Sequence, residues 1–434
     1  MKRLIFLSLI FISCNKPKDN PIENIIPRVY LFVESINDTI TGRQVFYWYG
    51  NDPDGEIIGY YIAKDDTSNK VFTTKNYDTI YFEAGKFPEN HLFCVWAIDN
   101  LNAISIPKCI NLLVKNAPPV ISFVNGTLPP DTILPVATFY FKYYDEDGNS
   151  TIKGLMYRFD YEQNWHVIDT PYERITLKNF QSGNRRVYFK AFDENGGISD
   201  SISYGFYVIE KMGDILVVDD DISYDGSFYR NLLNINGYLY TYWNADRKYP
   251  YSVFDVNAIV NELGFNTIIW FSGENKSNIR KSYVAFQNYL NSNKKLVIIS
   301  GHFIDAMRDT IYGGYLSFLK NYAGVDSVYY LNKVYLSRMS LISDNYPSPL
   351  KSNSPVITML DGVLIKNTST KIYELSDPNC DNFNWRWNGS TCDTNLPVPT
   401  LAWKSNKFYI LTFPLHKFNT NTNNENFFIQ ILNE

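Results

Sequence analysis

Histidine is scarce in this chain, with four among 434 residues, and no HExxH spacing occurs. The five cysteines include no CxxC pair. Zinc held by paired thiolates or by helix-borne histidines therefore has no ligand pattern here. No Gly-x-Ser-x-Gly elbow and no P-loop is present, which removes the usual signatures of serine-hydrolase and nucleotide chemistry. No long basic run exists, and the formal charge is −5 with a pI of about 5.6, so nothing attracts a nucleic-acid backbone. Long apolar runs are also missing. The longest, Leu4 to Ile12, is about half of the ~20 residues a helix needs to cross a bilayer. From these absences we expect no metal centre and no cofactor.

Aromatic residues, by contrast, are abundant: 34 Tyr and 29 Phe, in a chain that is 16% aromatic. That favours strands, because aromatic side chains fit a pleated surface. The length suggests several domains. From Ile25 to Val114 short alternating runs are broken by turn signals, the pattern of a β-sandwich. The stretch "VFYWYGNDPDGEIIGYYI" is then answered by "TFYFKYYDEDGNSTIKGLMYRF", with Asp52 and Asp54 recurring as Asp145 and Asp147. Likewise "VWAIDN" recurs as "FKAFDENGG", matching Asp99 with Asp193. These are two copies of one module, joined at "KNAPPV", where Pro118-Pro119 stiffens the link. The Asp-x-Asp-Gly pairs read as turn formers. Calcium ligation is the alternative, although the spacing lacks the closing Glu of a full calcium loop.

The copies resemble bacterial fibronectin type III-like or immunoglobulin-like modules through "DPDG…GY" and "AxDxxG". The resemblance implies sandwiches and is silent on function, since such modules serve as spacers, scaffolds and binders. At the N-terminus "MKRLIFLSLIFISC" has the form of a secretory signal, and Phe11-Ile12-Ser13-Cys14 resembles the bacterial lipobox. The resemblance implies acylation of Cys14, a signal over residues 1–13 and a polar tether over 14–24. It further implies a place in the cell envelope, held to a membrane, by expectation the outer one, through the lipid. Export would leave Cys94, Cys109, Cys380 and Cys392, an even number in an oxidising compartment. Cys94 and Cys109 flank the turn "DNLNA", so hairpin pairing sets them nearly opposite, and Cys380 and Cys392 close a short loop. Four free buried thiols are the alternative.

After Met212 the period changes. "DILVVD" is a continuous apolar strand, "GSFYRNLLNING" follows with helical spacing and a Gly stop, and strand and helix then alternate through "NTIIWFSG" and "KLVIISG". A helical stretch is expected from about Ile304 to Tyr322. The fold class expected overall is multidomain: sandwiches over 25–115 and 116–211, then an α/β three-layer domain over 212–434 with a mainly parallel sheet.

In such sheets ligands bind beyond the carboxyl ends of the strands. That edge would gather Asp219, Asp220, Asp221, Ser272, Glu274, Ser300, His302 and His416. The three aspartates read either as a solvated strand end capping the helix near Ser227, or as a polar-ligand or cation edge. "ILVVDDD" also resembles the first strand of response-regulator receivers, but Trp270-Phe271-Ser272 stands where a phosphoacceptor should. The segment 213–418 resembles class I glutamine amidotransferase-like domains, of flavodoxin-like fold, through "TIIWFSG", "YLNSNKKLVIISG" and "KFYILTFPL". Catalytic members of that family carry a Cys on a sharp turn. The turn here reads "SGHFID", with His302 or a neighbour in its place, so the resemblance implies a non-catalytic relative. In the loop "NCDNFNWRWNGSTC", Phe383, Trp385 and Trp387 alternate and would share one face, for binding or for packing. The expectation is an envelope lipoprotein that binds or scaffolds, with envelope proteins or glycans as partners and no enzyme activity. The alternative is a hydrolase, on glycans for example, using the strand-end edge.

Overall fold

A computed structural model of the chain describes residues 23–34, 39–250, 252–273, 277–308, 315–335, 340–351, 359–375, 395, 397–418 and 422–434. Cys14, Glu274, Cys380, Phe383, Trp385, Trp387 and Cys392 lie outside the described residues.

The first module has strands β1 (Arg28–Val33), β2 (Arg43–Asn51), β3 (Ile57–Lys64), β4 (Val71–Thr73), β5 (Tyr77–Tyr81), β6 (Glu89–Asp99) and β7 (Lys108–Val114). They form two sheets, ordered β1-β2-β5 and β4-β3-β6-β7. Strict alternation builds the core between them: Phe46 and Trp48 of β2 point inward with Tyr60, Phe93, Val95 and Leu112. Phe46 and Phe93 stack with centroids 4.2 Å apart. The β6–β7 register places Cys94 directly opposite Cys109, and the two form a disulfide.

The second module repeats this plan. Its strands are β8 (Val120–Phe123), β9 (Thr132–Ile133), β10 (Val136–Tyr144), β11 (Ile152–Phe159), β12 (His166–Ile168), β13 (Arg174–Lys178), β14 (Gly183–Asp193) and β15 (Ile202–Val208). Sheet β13-β10-β8 answers β5-β2-β1, and β12-β11-β14-β15 answers β4-β3-β6-β7, with β9 added parallel to β15. Phe139, Phe141, Leu155, Val187, Phe189 and Phe206 fill its core.

Compactness divides the chain into two units: residues 1–120 with 144–153 and 192–199, and residues 121–143, 154–191 and 200–434. The division follows side-chain bonds. In the first unit the Asp147 carboxylate accepts from the amides of Gly42 (2.9 Å) and Ala117 (2.7 Å), so a turn of the second sandwich is tied to the first. In the second unit Leu134 and Val136 join the apolar core of the α/β domain.

That domain comprises β16 (Ile215–Asp219), α1 (Ser227–Ile235), β17 (Tyr240–Asn244), α2 (Ala245–Lys248), α3 (Val253–Glu262), β18 (Thr267–Ser272), α4 (Ser277–Lys281), α5 (Tyr283–Asn291), β19 (Lys295–Ser300), α6 (Phe303–Arg308) and α7 (Tyr315–Asn321). It continues with β20 (Val325–Tyr335), β21 (Ser340–Ile342), β22 (Leu350–Lys351), β23 (Met359–Ile365), β24 (Thr370–Leu375), β25 (Thr400–Ser405), β26 (Phe408–Leu411) and α8 (Asn423–Asn433). The sheet runs β17-β16-β18-β19-β26 in parallel and continues antiparallel through β25, β24, β21 and β22, with β23 and β20 branching antiparallel from β25, so the expected mainly parallel sheet is a mixed one. In chain order the parallel part reads 2-1-3-4-5, a doubly wound arrangement.

Helices cover both faces, which is why β16, β18 and β19 are continuous apolar runs. Leu216, Val218, Ile268, Trp270 and Ile298 meet α3, α5 and α6 on one face. Val217, Ile269, Phe271, Val297 and Ile299 meet α1 and α8 on the other. Helix α1 stops as its sequence requires: Gly237 takes φ 74°, its amide donates to Asn234 O, and Tyr238 N donates to Leu233 O. That is the Schellman arrangement of a helix C-terminus.

Candidate functional site

At the carboxyl end of β16 the chain order of the sheet reverses, between β16 and β18, and Asp219, Asp220 and Asp221 stand there. They are buried, at 2%, 0% and 9% exposure. This corrects the reading of a solvated strand end. The cap reading is corrected too: α1 has Gly226 as its N-cap with no side-chain bond, and Asp225 Oδ1 takes the Ser227 amide instead. The cause is that the chain continues the ladder past β16, Asp220 N donating to Phe271 O of β18, so these residues stay between the helical layers.

The three carboxylates diverge. Asp219 Oδ2 accepts from the Tyr242 hydroxyl of β17, and its Oδ1 accepts from Asp221 N at 3.2 Å. Burial pushes the Asp219 carboxyl up, and the Tyr242 bond only partly opposes it. Asp220 turns toward the opposite helical layer, accepting Asn278 Nδ2 at 2.7 Å and Trp270 Nε1 at 3.1 Å. Burial raises its carboxyl to about 7, with the charges of Asp246 and Asp219 adding. Asp221 closes a small turn, accepting the Ser223 hydroxyl (2.7 Å) and amide (3.0 Å). It also needs a glycine beside it, because a Cβ at Gly273 would lie 2.5 Å from its Oδ1. Three carboxylates aimed at three different sets of donors do not enclose one ion.

Of the remaining edge residues, Ser272 and Ser300 are brought together. They sit in register on β18 and β19, and Ser272 Oγ donates to Ser300 Oγ at 2.9 Å, buried. His416 lies in the turn after β26, stacked on Tyr224 with centroids 3.8 Å apart. Its Nδ1 is 3.4 Å from the Tyr229 hydroxyl. Burial pushes this imidazole down to about 4, Lys417 adding and Asp221 opposing, so it is neutral near pH 7. His302 precedes α6, and its Nδ1 is buried without a partner among the described residues. Among those residues no hydrogen bond joins either serine hydroxyl to His302 or His416. The nucleophile–base geometry that a serine hydrolase needs is therefore not assembled from these groups.

A second candidate surface escaped the sequence reading. The outer face of sheet β1-β2-β5 carries Tyr30, Phe32, Tyr47, Tyr49, Tyr77 and Tyr81, each between 39% and 57% exposed. The strand register sets Tyr30 beside Tyr49, Phe32 beside Tyr47 and Tyr47 beside Tyr77. The rings lie nearly flat to one another: Tyr30 and Tyr49 are 4.6 Å apart at 17°, Phe32 and Tyr49 6.0 Å at 11°, and Tyr47 and Tyr77 6.1 Å at 27°. Arg28 and Arg43, at the starts of β1 and β2, lie on the same strand face and are exposed. The signal was present in "VFYWYG", where aromatic residues occupy both pleat faces when one core needs only one. Contiguous exposed apolar faces of this kind are uncommon on monomeric proteins.

No protein-family model matches the chain, and no curated protein matches it. Among solved structures it is similar to the fibronectin(III)-like modules of CbhA from Clostridium thermocellum, at 16% identity over 41% of this chain and 94% of that one, TM-score 0.19. It is also similar to a two-domain fibronectin type III segment of chicken tenascin, at 15% identity over 42% of this chain and 98% of that one, TM-score 0.25. A third likeness, to the PKD1 domain of Epp from Vibrio anguillarum, has 14% identity over 21% of this chain and 99% of that one, TM-score 0.17. At such identities and scores the sandwich architecture rests on the chain's own sheets and not on these likenesses.

Proposed function

We propose that the chain is a bacterial envelope lipoprotein, acylated at Cys14, whose two fibronectin type III-like modules and amidotransferase-like α/β domain bind and scaffold without catalysis. The observation that carries the binding role is the flat aromatic face of sheet β1-β2-β5. Its tyrosines present apolar ring faces with hydroxyl tips, and Arg28 and Arg43 add exposed charge on the same face. That mixture suits the C–H faces and hydroxyls of a glycan chain, which we take as the ligand class. For the α/β domain, support comes from the strand-end edge. Ser272 and Ser300 bond each other, Asp220 is held by Trp270 and Asn278, and His416 is stacked away on Tyr224.

The test is retention on insoluble envelope and environmental polysaccharides, compared between the wild type and Tyr49→Ala. Tyr49 stacks on two neighbours while standing outside the core, so its removal should weaken retention at least tenfold and leave folding intact. Equal retention of both proteins would refute the aromatic face as the binding surface. Fatty-acid-analogue labelling of the chain, lost in Cys14→Ser, tests the anchor separately.

A further inference from the structure

Where Asn24 meets the first sandwich, the structure buries more oxygen than it supplies hydrogen to satisfy. Asp52 and Asp54 lie in the turn between β2 and β3, and Asp99 ends β6. Asp99 is fully bonded. Its Oδ1 accepts the amides of Ala103 (2.8 Å) and Leu101 (2.9 Å), and its Oδ2 accepts Asn24 Nδ2 at 2.7 Å. Asp54 accepts the Ile25 amide at 3.0 Å. Asp52 is different. Both of its carboxylate oxygens are shut from solvent with no hydrogen bond of normal geometry among the described residues, and so is Asn24 Oδ1. A third oxygen lies beside them, that of exposed Asn100, whose Oδ1 accepts the Glu56 amide at 3.3 Å: a Cβ at Gly55 would sit 2.4 Å from Asn100 Oδ1 and 2.5 Å from Asp52 Oδ2, so both border a space that a glycine keeps open.

The second sandwich solves the same problem with protein groups. Asp145 accepts the Asp147 amide at 2.9 Å, and the Thr151 hydroxyl, which it shares with Gly148 O at 2.7 Å, lies 3.2 Å from its Oδ2. Asp193 repeats Asp99, accepting the amides of Gly197 and Asn195 and, from Asn116, an Nδ2 at 2.7 Å. Thr151 stands where Glu56 stands in the first copy: Glu194 N donates to Thr151 O as Asn100 N donates to Glu56 O. The first copy lacks counterparts of Asn149 and Ser150, and Glu56 is exposed, so no hydroxyl reaches Asp52. Buried carboxylates are not left bare when a donor can be had.

We propose that this end of the first sandwich binds one divalent cation of calcium's size, with Asp52 as principal ligand, Asn24 Oδ1 and Asn100 Oδ1 completing the set, and Asp54 and Asp99 supplying further charge. Carboxylates alone do not make the site: among the described residues no three His, Cys, Asp or Glu side chains are grouped to hold a metal. The amide oxygens complete it, and a flexible all-oxygen set suits calcium better than magnesium, which demands strict octahedral geometry. Bound there, the ion would clamp the segment at Asn24 onto the end of the sandwich.

The experiment is calorimetric titration of the chelator-stripped full chain with calcium chloride. The wild type should bind one ion with a Kd on the order of 10⁻⁴–10⁻³ M, the range of extracellular calcium modules. Asp52→Asn should weaken binding tenfold or more. Asn24→Ala, which alters only the segment entering the sandwich, should also weaken it, and this guards against a folding defect in the first variant. Asp145→Asn, the matching change in the second sandwich, should leave affinity unchanged. Absence of calcium binding by the wild type would overturn the proposal, as would equal effects of Asp52→Asn and Asp145→Asn.

Discussion

Replacing Asp255 by Asn should make this protein more stable, by an amount that grows from about pH 4 and is largest above about pH 7. Asp255 sits in the first turn of α3, 2% exposed, where Thr138 of the second sandwich donates its hydroxyl to Oδ1 at 2.6 Å. Burial pushes the carboxyl up to about 7, and the hydroxyl and amide of Thr138 only partly oppose that. In the unfolded chain the same group titrates near ~3.9. Between about pH 4 and pH 7 the native state therefore holds a proton that the unfolded state has released. Stability falls as pH rises through that window and is flat, for this group, above it. A rise of roughly three pKa units at about 1.4 kcal/mol each sets a ceiling of about 4 kcal/mol on the loss. Asn keeps the acceptor facing Thr138 and cannot ionise. Asp255→Asn should thus gain about 2–4 kcal/mol at pH 8, and the gain should shrink toward zero as pH approaches 4.

The assay is urea unfolding of both proteins across that pH range, followed through Trp243, Trp270 and Trp403, all buried in the α/β domain. Taking the difference between variant and wild type at each pH cancels every other titrating group, including Asp220, whose carboxyl is also raised to about 7. A difference independent of pH, or a variant less stable at pH 8, would refute the reasoning. The first result would mean that Asp255 is ionised in the native state throughout. The second would mean that its charge is compensated by a partner.

Reduction of Cys94–Cys109, whose sequence separation is 15, should cost the first sandwich about 3 kcal/mol, read as an earlier melting step under reductant; an unmoved step would count against it. Gly226→Ala should cost about 2–4 kcal/mol in the α/β domain, since Gly226 has φ 67° and a Cβ there would lie 2.3 Å from the Phe271 ring. Unfolding midpoints within about 0.5 kcal/mol of wild type would show that the ring moves aside freely.

Periodicity made much of the fold legible. "ILVVD", "TIIWFS" and "KLVIIS" are apolar on both faces because helices cover both, and the short alternating runs from Ile25 to Val114 belong to a sandwich, with Phe46 and Trp48 in its core. The Cys94–Cys109 bond was legible because a hairpin centred on its turn leaves little freedom of register. What stayed hidden depended on direction and on distant partners. Three consecutive carboxylates look like one site in a sequence. The backbone turn after β16 instead sends Asp219 to Tyr242, Asp220 to Asn278 and Trp270, and Asp221 to Ser223. The aromatic face was hidden for a related reason: tyrosine on the outer pleat reads as strand propensity until the register shows Tyr30, Tyr47, Tyr49 and Tyr77 side by side.

The Asp-x-Asp-Gly turns illustrate the limit most clearly, because the two copies read alike and are satisfied differently. The sequence comparison matches Asp52 with Asp145, yet the outcome for each depends on whether a hydroxyl stands at the start of the next strand. That makes Thr151→Val the informative change in the second sandwich. It keeps the β-branched shape and removes the hydroxyl that Asp145 Oδ2, on a carboxylate 3% exposed, shares with Gly148 O. Burial already pushes the Asp145 carboxyl up, with Asp147 and Asp193 adding, and losing the Thr151 bond should push it further. The raised carboxyl favours the protonated native form, so the destabilisation should be smallest at low pH and grow as pH rises through the folded value. An unsatisfied buried acceptor sets its size at about 1–3 kcal/mol at pH 8. If calcium at millimolar concentration then restored the lost stability, the second copy would have been converted to the state proposed for the first. A variant as stable as wild type at pH 8 without calcium would mean that the Thr151 hydroxyl contributes nothing. The contrast between the two turns would then lose its physical basis.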